Sequence, residues 1–475
     1  MIDTFTIRCN ILHLAFSGKL TIQIEEEGTA QDILNFISEK KSIVSVEEGP
    51  YTIPDSWAWV RLKDLYKINP KVIADNDTAA AFIPMERISG GFDKAFTFEI
   101  QKWEKASKNH TKFKDGDVAF AKITPCFENR KSFIAHDLPN GIGGGTTELI
   151  ILRQKEMLPQ YTYYLVLDQR FITTGTASYK GVVGQQRVQS DVIKDYLVPV
   201  APYSEQKRIV EKIEQVFSVL DTIDELQAQY ADNLTALKSK LVDAAIQGKL
   251  TEQLPEDGTA EELYEQIQEE KQKLIKEGKI KKQKPHSEIS DEENPFDIPT
   301  NWKWVRMDEI TAKVTSGSTP KGGKKSNAYI SDGFPFFREQ NIYNDGIHTD
   351  GMVYISEDLL ETRLNSTVIA KDILLNITGG SIGRCALIPD DFDRGSINQH
   401  ILILRMVKPE IRFYIHKLMC SSYFQNYIKN KAVGDKDGFS GGRCKQMLIP
   451  FPPLAEQNRI VQKLDDILPM CETQK

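Results

Sequence analysis

The sequence predicts an α+β protein in which two strand-rich mixed domains are separated by long antiparallel coiled-coil helices and related by a pseudo-twofold internal repeat. Three observations lead to this prediction: duplicated sequence blocks, two long segments with short apolar runs, and a long stretch without glycine or proline between those segments. The 475 residues are enough for about two to four domains. Hydrophobic residues make up 40% and charged residues 27%, which excludes a wholly disordered chain.

Four blocks of sequence occur twice and in the same order. The blocks at 15–21, 28–30, 53–61 and 205–210 recur at 245–251, 258–260, 298–306 and 456–461. The third block has the pattern Ile-Pro-x-x-Trp-x-Trp-Val-Arg, and the fourth has the pattern Glu-Gln-x-Arg-Ile-Val. Because ordered self-similarity is the signature of repeated structural units, we predict a tandem of two units of roughly 240 residues each.

Each predicted unit contains one long segment whose sequence is not shared with the other unit, residues 50–200 and 298–450. Short apolar runs such as 149–152 and 401–404 lie between glycine-rich breaks, a pattern that favours strands joined by turns. The tryptophan pairs at the start of each segment recur in both units. A residue that recognises variable sequence should differ between units, so we predict that these tryptophans pack at the domain entry and do not stack on bases.

Residues 204–247 predict one long helix. Their apolar residues follow alternating steps of three and four, which is a heptad seam that requires a partner helix. Ser204 could cap the start, and Gly248 lies where the helix should stop. At 1.5 Å per residue the helix would be roughly 65 Å long. A surface helix packed on one domain is the alternative interpretation.

The partner helix is predicted to be assembled from both chain ends, because residues 5–17 align with 235–247 and the second Glu-Gln-x-Arg-Ile-Val block lies close to residue 475. Pro469 should interrupt its C-terminal part. The predicted segments are an N-terminal helix and shared segment (1–49), a first domain (50–200), the central helix and charged linker (201–297), a second domain (298–450) and a C-terminal helix (451–475).

Composition restricts the classes of function. The net charge of −7 excludes a uniformly basic nucleic-acid coat, and no run of 18 apolar residues predicts a membrane helix. The six cysteines are isolated in sequence, which favours reduced thiols in the cytoplasm over a zinc ribbon or a disulfide framework. The apolar run at 11–16 imitates a signal peptide, but it continues into a repeated block. The lysine-rich stretch at 268–297 is either a solvated linker or an arm that contacts phosphate or protein.

No catalytic motif is found, so we predict no catalytic residues, no bound metal and no cofactor on this chain. The Asn/Asp-Pro-Pro-Tyr/Phe motif of DNA amino-methyltransferases is absent, and Asn294-Pro295-Phe296 lacks one proline. The glycines at 317–323 begin a P-loop, but Gly323 stands where its lysine is required. The histidines are scattered, and His400 is interpreted as a packed or surface residue.

The chain resembles the specificity (S) subunits of type I restriction-modification systems over essentially its whole length. The resemblance is carried by the duplicated entry motif, the duplicated exit motif, the Gly-Lys-Leu-Thr junction and the lysine-rich segment. The resemblance implies that residues 50–200 and 298–450 are target recognition domains, each for one half of a bipartite DNA sequence. It also implies that the helices are a spacer and a dock for two methyltransferase (M) subunits. S-adenosylmethionine would be bound by the M subunits, and ATP and magnesium by restriction (R) subunits. The short C-terminal helix departs from the pattern.

Candidates for DNA contact are the side chains that pair with base edges or phosphates. In the first domain they are Arg87, Ser89, Lys180, Gln185, Gln186 and Arg187; in the second they are Lys321, Lys324, Lys325, Arg338, Gln340, Asn341, Lys431, Lys436 and Arg443. The candidates for docking an M subunit are the seam residues Ile209, Ile213, Leu220, Tyr230, Leu234 and Leu241. The predicted partners are therefore double-stranded DNA, M subunits and R subunits, with no membrane. The alternative is a coiled-coil adaptor with two protein-binding domains; a chain with methyltransferase or nuclease activity of its own is disfavoured by the missing motifs.

Overall fold

The computed structural model of this chain describes residues 1–38, 48–153, 156–182, 184–282, 286–320, 328–431 and 438–471. The chain forms two compact units, 1–228 and 229–475, and the boundary between them falls inside one long helix. In the described ranges, no helix is both long enough and apolar enough to cross a membrane. The five segment boundaries given above remain a prediction.

Unit 1 is strand-rich, as the alternating apolar runs predict. Its strands are β1 (Ala58–Arg61), β2 (Lys67–Ile68), β3 (Ala79–Ile83), β4 (Glu99–Lys102), β5 (Thr111–Lys114), β6 (Val118–Ala121), β7 (Ser132–Ile134), β8 (Ile142–Gly145), β9 (Leu149–Arg153) and β10 (Leu197–Val200). Its helices are α1 (Thr4–Ala15), α2 (Ala30–Ser38), α3 (Leu62–Leu65), α4 (Trp103–Ser107), α5 (Pro159–Leu167), α6 (Gln169–Ala177) and α7 (Ser190–Asp195), followed by the long helix α8 (Tyr203–Ile246).

Unit 1 contains two four-stranded sheets and one two-stranded sheet. The sheet orders are β2-β9-β6-β7, β4-β3-β8-β5 and β1-β10. In the third sheet, the strand that enters the variable segment pairs antiparallel with the strand that leaves it, from Ala58 opposite Val200 to Arg61 opposite Leu197. Buried aromatic residues of α5 and α6 pack with the first sheet and with α1 and α8 into one continuous core.

Unit 2 repeats this plan. Its strands are β11 (Lys303–Arg306), β12 (Thr311–Ser316), β13 (Phe334–Phe337), β14 (Ile342–Tyr343), β15 (Gly346–Ile347), β16 (Val353–Ile355), β17 (Thr367–Ile369), β18 (Ile373–Asn376), β19 (Cys385–Leu387), β20 (Arg394–Ile397), β21 (Ile401–Met406) and β22 (Leu448–Phe451). Its helices are α9 (Ala260–Lys276), α10 (Met307–Ile310), α11 (Glu357–Glu361), α12 (Arg412–Met419), α13 (Ser422–Lys431), α14 (Gly441–Lys445) and α15 (Leu454–Ile467).

The sheet orders of unit 2 match those of unit 1 strand for strand. They are β12-β21-β18-β19, β16-β13-β20-β17 and β11-β22, with β14-β15 as an added hairpin. In both units the second sheet contains one parallel pair, β3 with β8 and β13 with β20. The duplicated sequence blocks therefore mark a duplicated fold, which confirms the predicted internal repeat.

The long helix is confirmed, with 44 residues from Tyr203 to Ile246. Ser204 lies inside the helix and is not its cap, because the helix begins one residue earlier. Within unit 1, α1 runs antiparallel to α8: Ile2 binds Gln227, and Arg8 forms ion pairs with Asp221 (2.6 Å) and Asp224 (2.9 Å). One part of the predicted partner helix is thus present in unit 1. The C-terminal helix α15 ends at Ile467, before Pro469, as predicted.

The same hydrogen-bond network joins the entry and exit of each variable segment. In unit 1 the buried Glu205 accepts hydrogen bonds from Trp57 Nε1 (2.7 Å), Thr21 (2.9 Å) and Gln23 (2.7 Å). In unit 2 the buried Glu456 accepts from Trp302 Nε1 (2.8 Å), Thr251 (3.0 Å) and Gln253 (2.9 Å). The recurring tryptophans are buried at the domain entries, as predicted, and the first tryptophan of each pair, Trp57 or Trp302, donates its indole N–H to the buried carboxylate.

Candidate nucleic-acid interface

One hairpin brings together four of the first-domain candidates. The main chains of Lys180 and Arg187 exchange two hydrogen bonds (3.1 and 2.9 Å), and Gln185 and Gln186 lie between them. This hairpin is held on the strand-end loop after β6 by bonds from Thr124 N to Gln186 O and from Val188 N to Lys122 O, both 2.9 Å. Lys180 and Gln185 are exposed there.

The same loops form one surface, which we call the unit 1 loop face: residues 122–124, 146–148 and 178–187, apart from 183. Lys122 N donates to Glu148 O, which joins the loop after β6 to the loop before β9. The face carries the amines of Lys122 and Lys180, the amide of Gln185 and the guanidinium of Arg187. These are the side-chain types that bind phosphates and base edges.

Arg187 is not a free cation on this face. Its Nε and Nη2 donate to the two carboxylate oxygens of Glu148 at 2.9 and 2.8 Å, a bidentate pair. These hydrogen bonds from the guanidinium lower the pKa of Glu148. A phosphate or a guanine edge would have to compete with this carboxylate for the same donors.

Arg87 and Ser89 lie elsewhere in unit 1, in the turn after β3. Arg87 is half-exposed and donates to Glu99 Oε1 at 2.8 Å. Ser89 is half-buried, and its main chain is bonded to Ala95. In the described ranges, no hydrogen bond or ion pair joins these two candidates to the hairpin of Lys180 and Arg187.

Unit 2 has an equivalent surface, which we call the unit 2 loop face: residues 377–381, 398–400, 431 and 438–443. The bond from Ile377 N to His400 O (2.9 Å) repeats the Lys122–Glu148 bond, and the bond from Phe439 N to Ile377 O (2.9 Å) repeats the Val188–Lys122 bond. The two loop faces therefore occupy equivalent positions in the two units.

The chemistry of the unit 2 loop face differs from that of unit 1. His400 occupies the place of Glu148, and its two ring nitrogens contact Thr378 Oγ1 (2.6 Å) and Gln399 Nε2 (3.0 Å). Gln399 is exposed and was not among the predicted candidates. Lys431 is exposed at the end of α13, and its carbonyl accepts a hydrogen bond from Arg443. Amide and imidazole groups thus replace the ion pair of unit 1.

Asn341 is a correction to the predicted list. It is fully buried, its Nδ2 donates to His348 O (3.0 Å) and Asp350 O (3.3 Å), and its Oδ1 accepts from Arg338 N (3.1 Å). This amide holds the β14–β15 hairpin and has no face left for a base. Its topological counterpart is Arg87, because both follow the parallel-paired strand of the second sheet.

Arg338 and Gln340 remain beside that turn. Arg338 donates through Nη2 to Gly351 O, and its Nε is buried without a hydrogen-bond partner in the ranges that the structure describes. Gln340 is exposed. The candidates Lys321, Lys324, Lys325 and Lys436 lie outside the described residues.

The helix candidates divide into two groups. Ile209, Ile213 and Leu220 are buried in the core of unit 1, with at most 4% of their surface exposed, so they are not available to a partner in this structure. Leu234 and Leu241 are half-buried, whereas Tyr230 is exposed. Leu226 and Leu237, which were not predicted, are exposed as well. The apolar surface of α8 is therefore accessible around its middle.

Comparison with known proteins agrees with the duplicated fold. The family described as "Type I restriction modification DNA specificity domain" matches residues 54–229 and 299–475. The EcoAI specificity subunit of a type I restriction enzyme from Escherichia coli is 31% identical, over 98% of this chain and 89% of its own length. The EcoEI specificity subunit, also from Escherichia coli, is 29% identical with the same coverage.

Two solved structures share the fold. One, from a study of complex assembly and conformational transition of the type I R-M system, superposes with a TM-score of 0.64 at 19% identity, over 89% of this chain and 92% of the other. The HsdS subunit from Thermoanaerobacter tengcongensis superposes with a TM-score of 0.51 at 20% identity, over 90% and 92% of the two chains.

Proposed function

The chain belongs to the family of type I restriction-modification DNA specificity domains, and we propose that its two units each recognise one half of a bipartite DNA target. The observation that carries this proposal is the pair of loop faces. They occupy equivalent positions of a duplicated fold, yet one presents Lys122, Glu148 and Arg187 where the other presents His400 and Gln399. The same scaffold with different hydrogen-bonding groups is what two different half-sites require.

The chain itself is the non-catalytic specificity subunit, since catalysis in these systems lies in other subunits. We propose that M subunits dock on the exposed apolar surface of α8 within unit 2, at Tyr230 and Leu237. S-adenosylmethionine would then be bound by the M subunits, each of which flips one adenine out of the duplex for methylation. R subunits would supply the ATP- and magnesium-dependent cleavage. The proposed complex would act in the cytoplasm, where it meets host DNA and these partners.

Half-site separation follows from the docking geometry of paired DNA-binding units. If both units bind the same side of the duplex, the half-site centres should lie about one helical turn apart. The alternative adaptor function is not favoured, because the relatives over almost the full length are specificity subunits.

The test is an exchange of the variable segments. Residues 50–200 are replaced by the corresponding segment of a relative, and modified adenines are mapped across the genome of cells that supply the M subunits. We expect one half of the split motif to change and the other half to stay. The matched control exchanges residues 298–450 and should change only the other half. If both halves change in either exchange, the modular proposal is wrong.

A further inference from the structure

Unit 2 brings together three side chains that are typical ligands of thiophilic metal ions. Cys385 lies on β19, and His416 and Cys420 lie one turn apart at the end of α12. The two sulfur atoms are 4.0 Å apart, and one ligand atom from each of the three residues lies within 4.8 Å of the others. Two thiolates bound to one zinc ion at about 2.3 Å in tetrahedral geometry would stand roughly 3.8 Å apart, so the observed separation needs only a small adjustment.

The fold does not require this cluster, as unit 1 shows. The equivalent tyrosines Tyr161 and Tyr414 donate to the carbonyl oxygens of Pro199 (2.7 Å) and Pro450 (2.6 Å). Counting from these anchors along α5 and α12, and along the registers of β7 and β19, the counterparts of the three residues are Ser132, Tyr163 and Leu167. Unit 1 therefore fills the same space without any pair of soft ligands, and the cluster is a property of unit 2 alone.

We propose that Cys385, His416 and Cys420 form a binding site for one Zn²⁺ ion, a site that goes beyond the proposed DNA-recognition function. Cys385 is fully buried and His416 is 8% exposed, whereas Cys420 is half-buried. Three protein ligands with an accessible side leave the fourth tetrahedral position to a water molecule that approaches past Cys420. Binding releases the two thiol protons, and the two thiolates then neutralise the charge of the ion.

The surroundings suit a neutral imidazole. Burial lowers the pKa of His416 to about 4, so its ring is uncharged at neutral pH and keeps a nitrogen lone pair. The hydrogen bond between the two thiols lowers the pKa of Cys420, and the same bond together with burial raises the pKa of Cys385, so metal binding has to displace the proton of Cys385. The carbonyl of Cys385 lies 3.3 Å from His416 Nε2, which resembles the carbonyl contact that orients metal-binding histidines.

The consequence of binding would be local. The ion would join the end of α12 to β19, and β19 directly follows the hairpin turn that carries Gly379 and Ser381 on the unit 2 loop face. A bound ion should therefore stabilise unit 2 against local opening at this turn.

The test uses the full chain, freed of metal and kept reduced, with Co²⁺ and Zn²⁺ as the probes. Tetrahedral cobalt with thiolate ligands gives a sulfur-to-metal charge-transfer absorption, and we expect this absorption to reach saturation at one equivalent and to disappear when Zn²⁺ is added. A Zn²⁺ concentration 100 times the Kd should raise the unfolding temperature by roughly 5–10 °C.

The substitutions introduce the residues that unit 1 has at the equivalent positions, serine as at Ser132 and leucine as at Leu167, so they should fit the fold. C385S and the Cys420→Leu variant should abolish the cobalt absorption and the zinc-dependent temperature shift, while C126S, at a thiol of unit 1, should keep both. The proposal is overturned if no charge-transfer band forms, if the band survives in C385S, or if C126S removes it. DNA is absent from these measurements, so their outcome is independent of the DNA-recognition function.

Discussion

Replacing Glu205 by alanine tests the hydrogen-bond network that closes unit 1. The substitution removes the acceptor of three donors. Thr21 and Gln23 are accessible enough to bond to water instead, but the indole N–H of Trp57, whose side chain is 6% exposed, is not. A lost hydrogen bond to a charged group costs about 1.5–3 kcal/mol and a buried unsatisfied donor about 1–3 kcal/mol, so we expect a loss of about 3 kcal/mol in the free energy of unfolding of unit 1.

The size of the effect can be measured by heat and located by hydrogen exchange. For a unit of this size, 3 kcal/mol corresponds to a fall of roughly 6–12 °C in the unfolding temperature. Amides of β1 and β10 should exchange faster in the E205A variant, while those of unit 2 should be unchanged. Glu456→Ala is the matched control, because Glu456 accepts from the three equivalent donors of unit 2. It should speed exchange in β11 and β22 and leave the amides of unit 1 unchanged.

A double-mutant cycle decides whether the tryptophan hydrogen bond is the cause. Trp57→Phe removes the indole donor, so the cost of E205A should fall by about 1 kcal/mol or more in that background. A coupling near zero, or a loss below about 0.5 kcal/mol for E205A alone, would refute the reasoning.

Three further predictions concern ion pairs and charged loops. Asp117 is buried and binds Arg153 through two bonds of 2.6 Å, so D117N should destabilise unit 1 by about 3 kcal/mol in denaturant unfolding; Asp372→Asn, which breaks the equivalent pair with Arg405, should do the same in unit 2, and a neutral result in both would contradict this account. If Lys180 contacts a phosphate, Lys180→Ala should make the negative slope of log affinity against log salt concentration shallower by about one. The control is Lys63→Ala, at an exposed lysine paired with Asp195, which should leave the slope unchanged. Glu148→Gln should release Arg187 for DNA, which raises affinity and steepens the same slope by about one; weaker binding would show instead that Glu148 holds Arg187 in its working position.

The repeat, the strand-rich units and the long helix were predictable because each depends on a pattern of residues along the chain. The duplicated blocks and the seam of residues 204–247 depend on spacing along the chain, and so do the packed tryptophans, whose recurrence in both units predicts a structural role. The structure places the helix start one residue earlier than Ser204, which is a common uncertainty at helix ends.

The candidate interface was less predictable because residue type does not determine burial. Asn341 has the right amide for adenine but lies in the interior, where it binds the main chain of its own hairpin. Arg187 was predicted as a candidate, but its partner Glu148 is 39 residues earlier in sequence, so the pair follows only from the fold.

The cysteine–histidine cluster was still harder to predict, because Cys385 is far from the other two residues in sequence. No metal site is predicted from the sequence, because no two cysteines have the spacing of a zinc ribbon. The structure instead joins Cys385 on a strand with His416 and Cys420 on a helix. The local signal was the spacing of four between His416 and Cys420, which puts both on one face of a helix; their approach to Cys385 depends on sheet–helix packing.

The antiparallel pairing of β1 with β10, and of β11 with β22, has a consequence for how such genes can recombine. Each variable segment leaves and rejoins the scaffold through two adjacent strands that are paired antiparallel. Two crossovers, one in the codons for 58–61 and one in the codons for 197–200, would introduce a foreign segment. The ends of this segment would lie one strand spacing apart, about 4.8 Å. Because both ends of the segment join the scaffold at one pair of strands, genetic exchange at these two points can supply a new target sequence without a new scaffold.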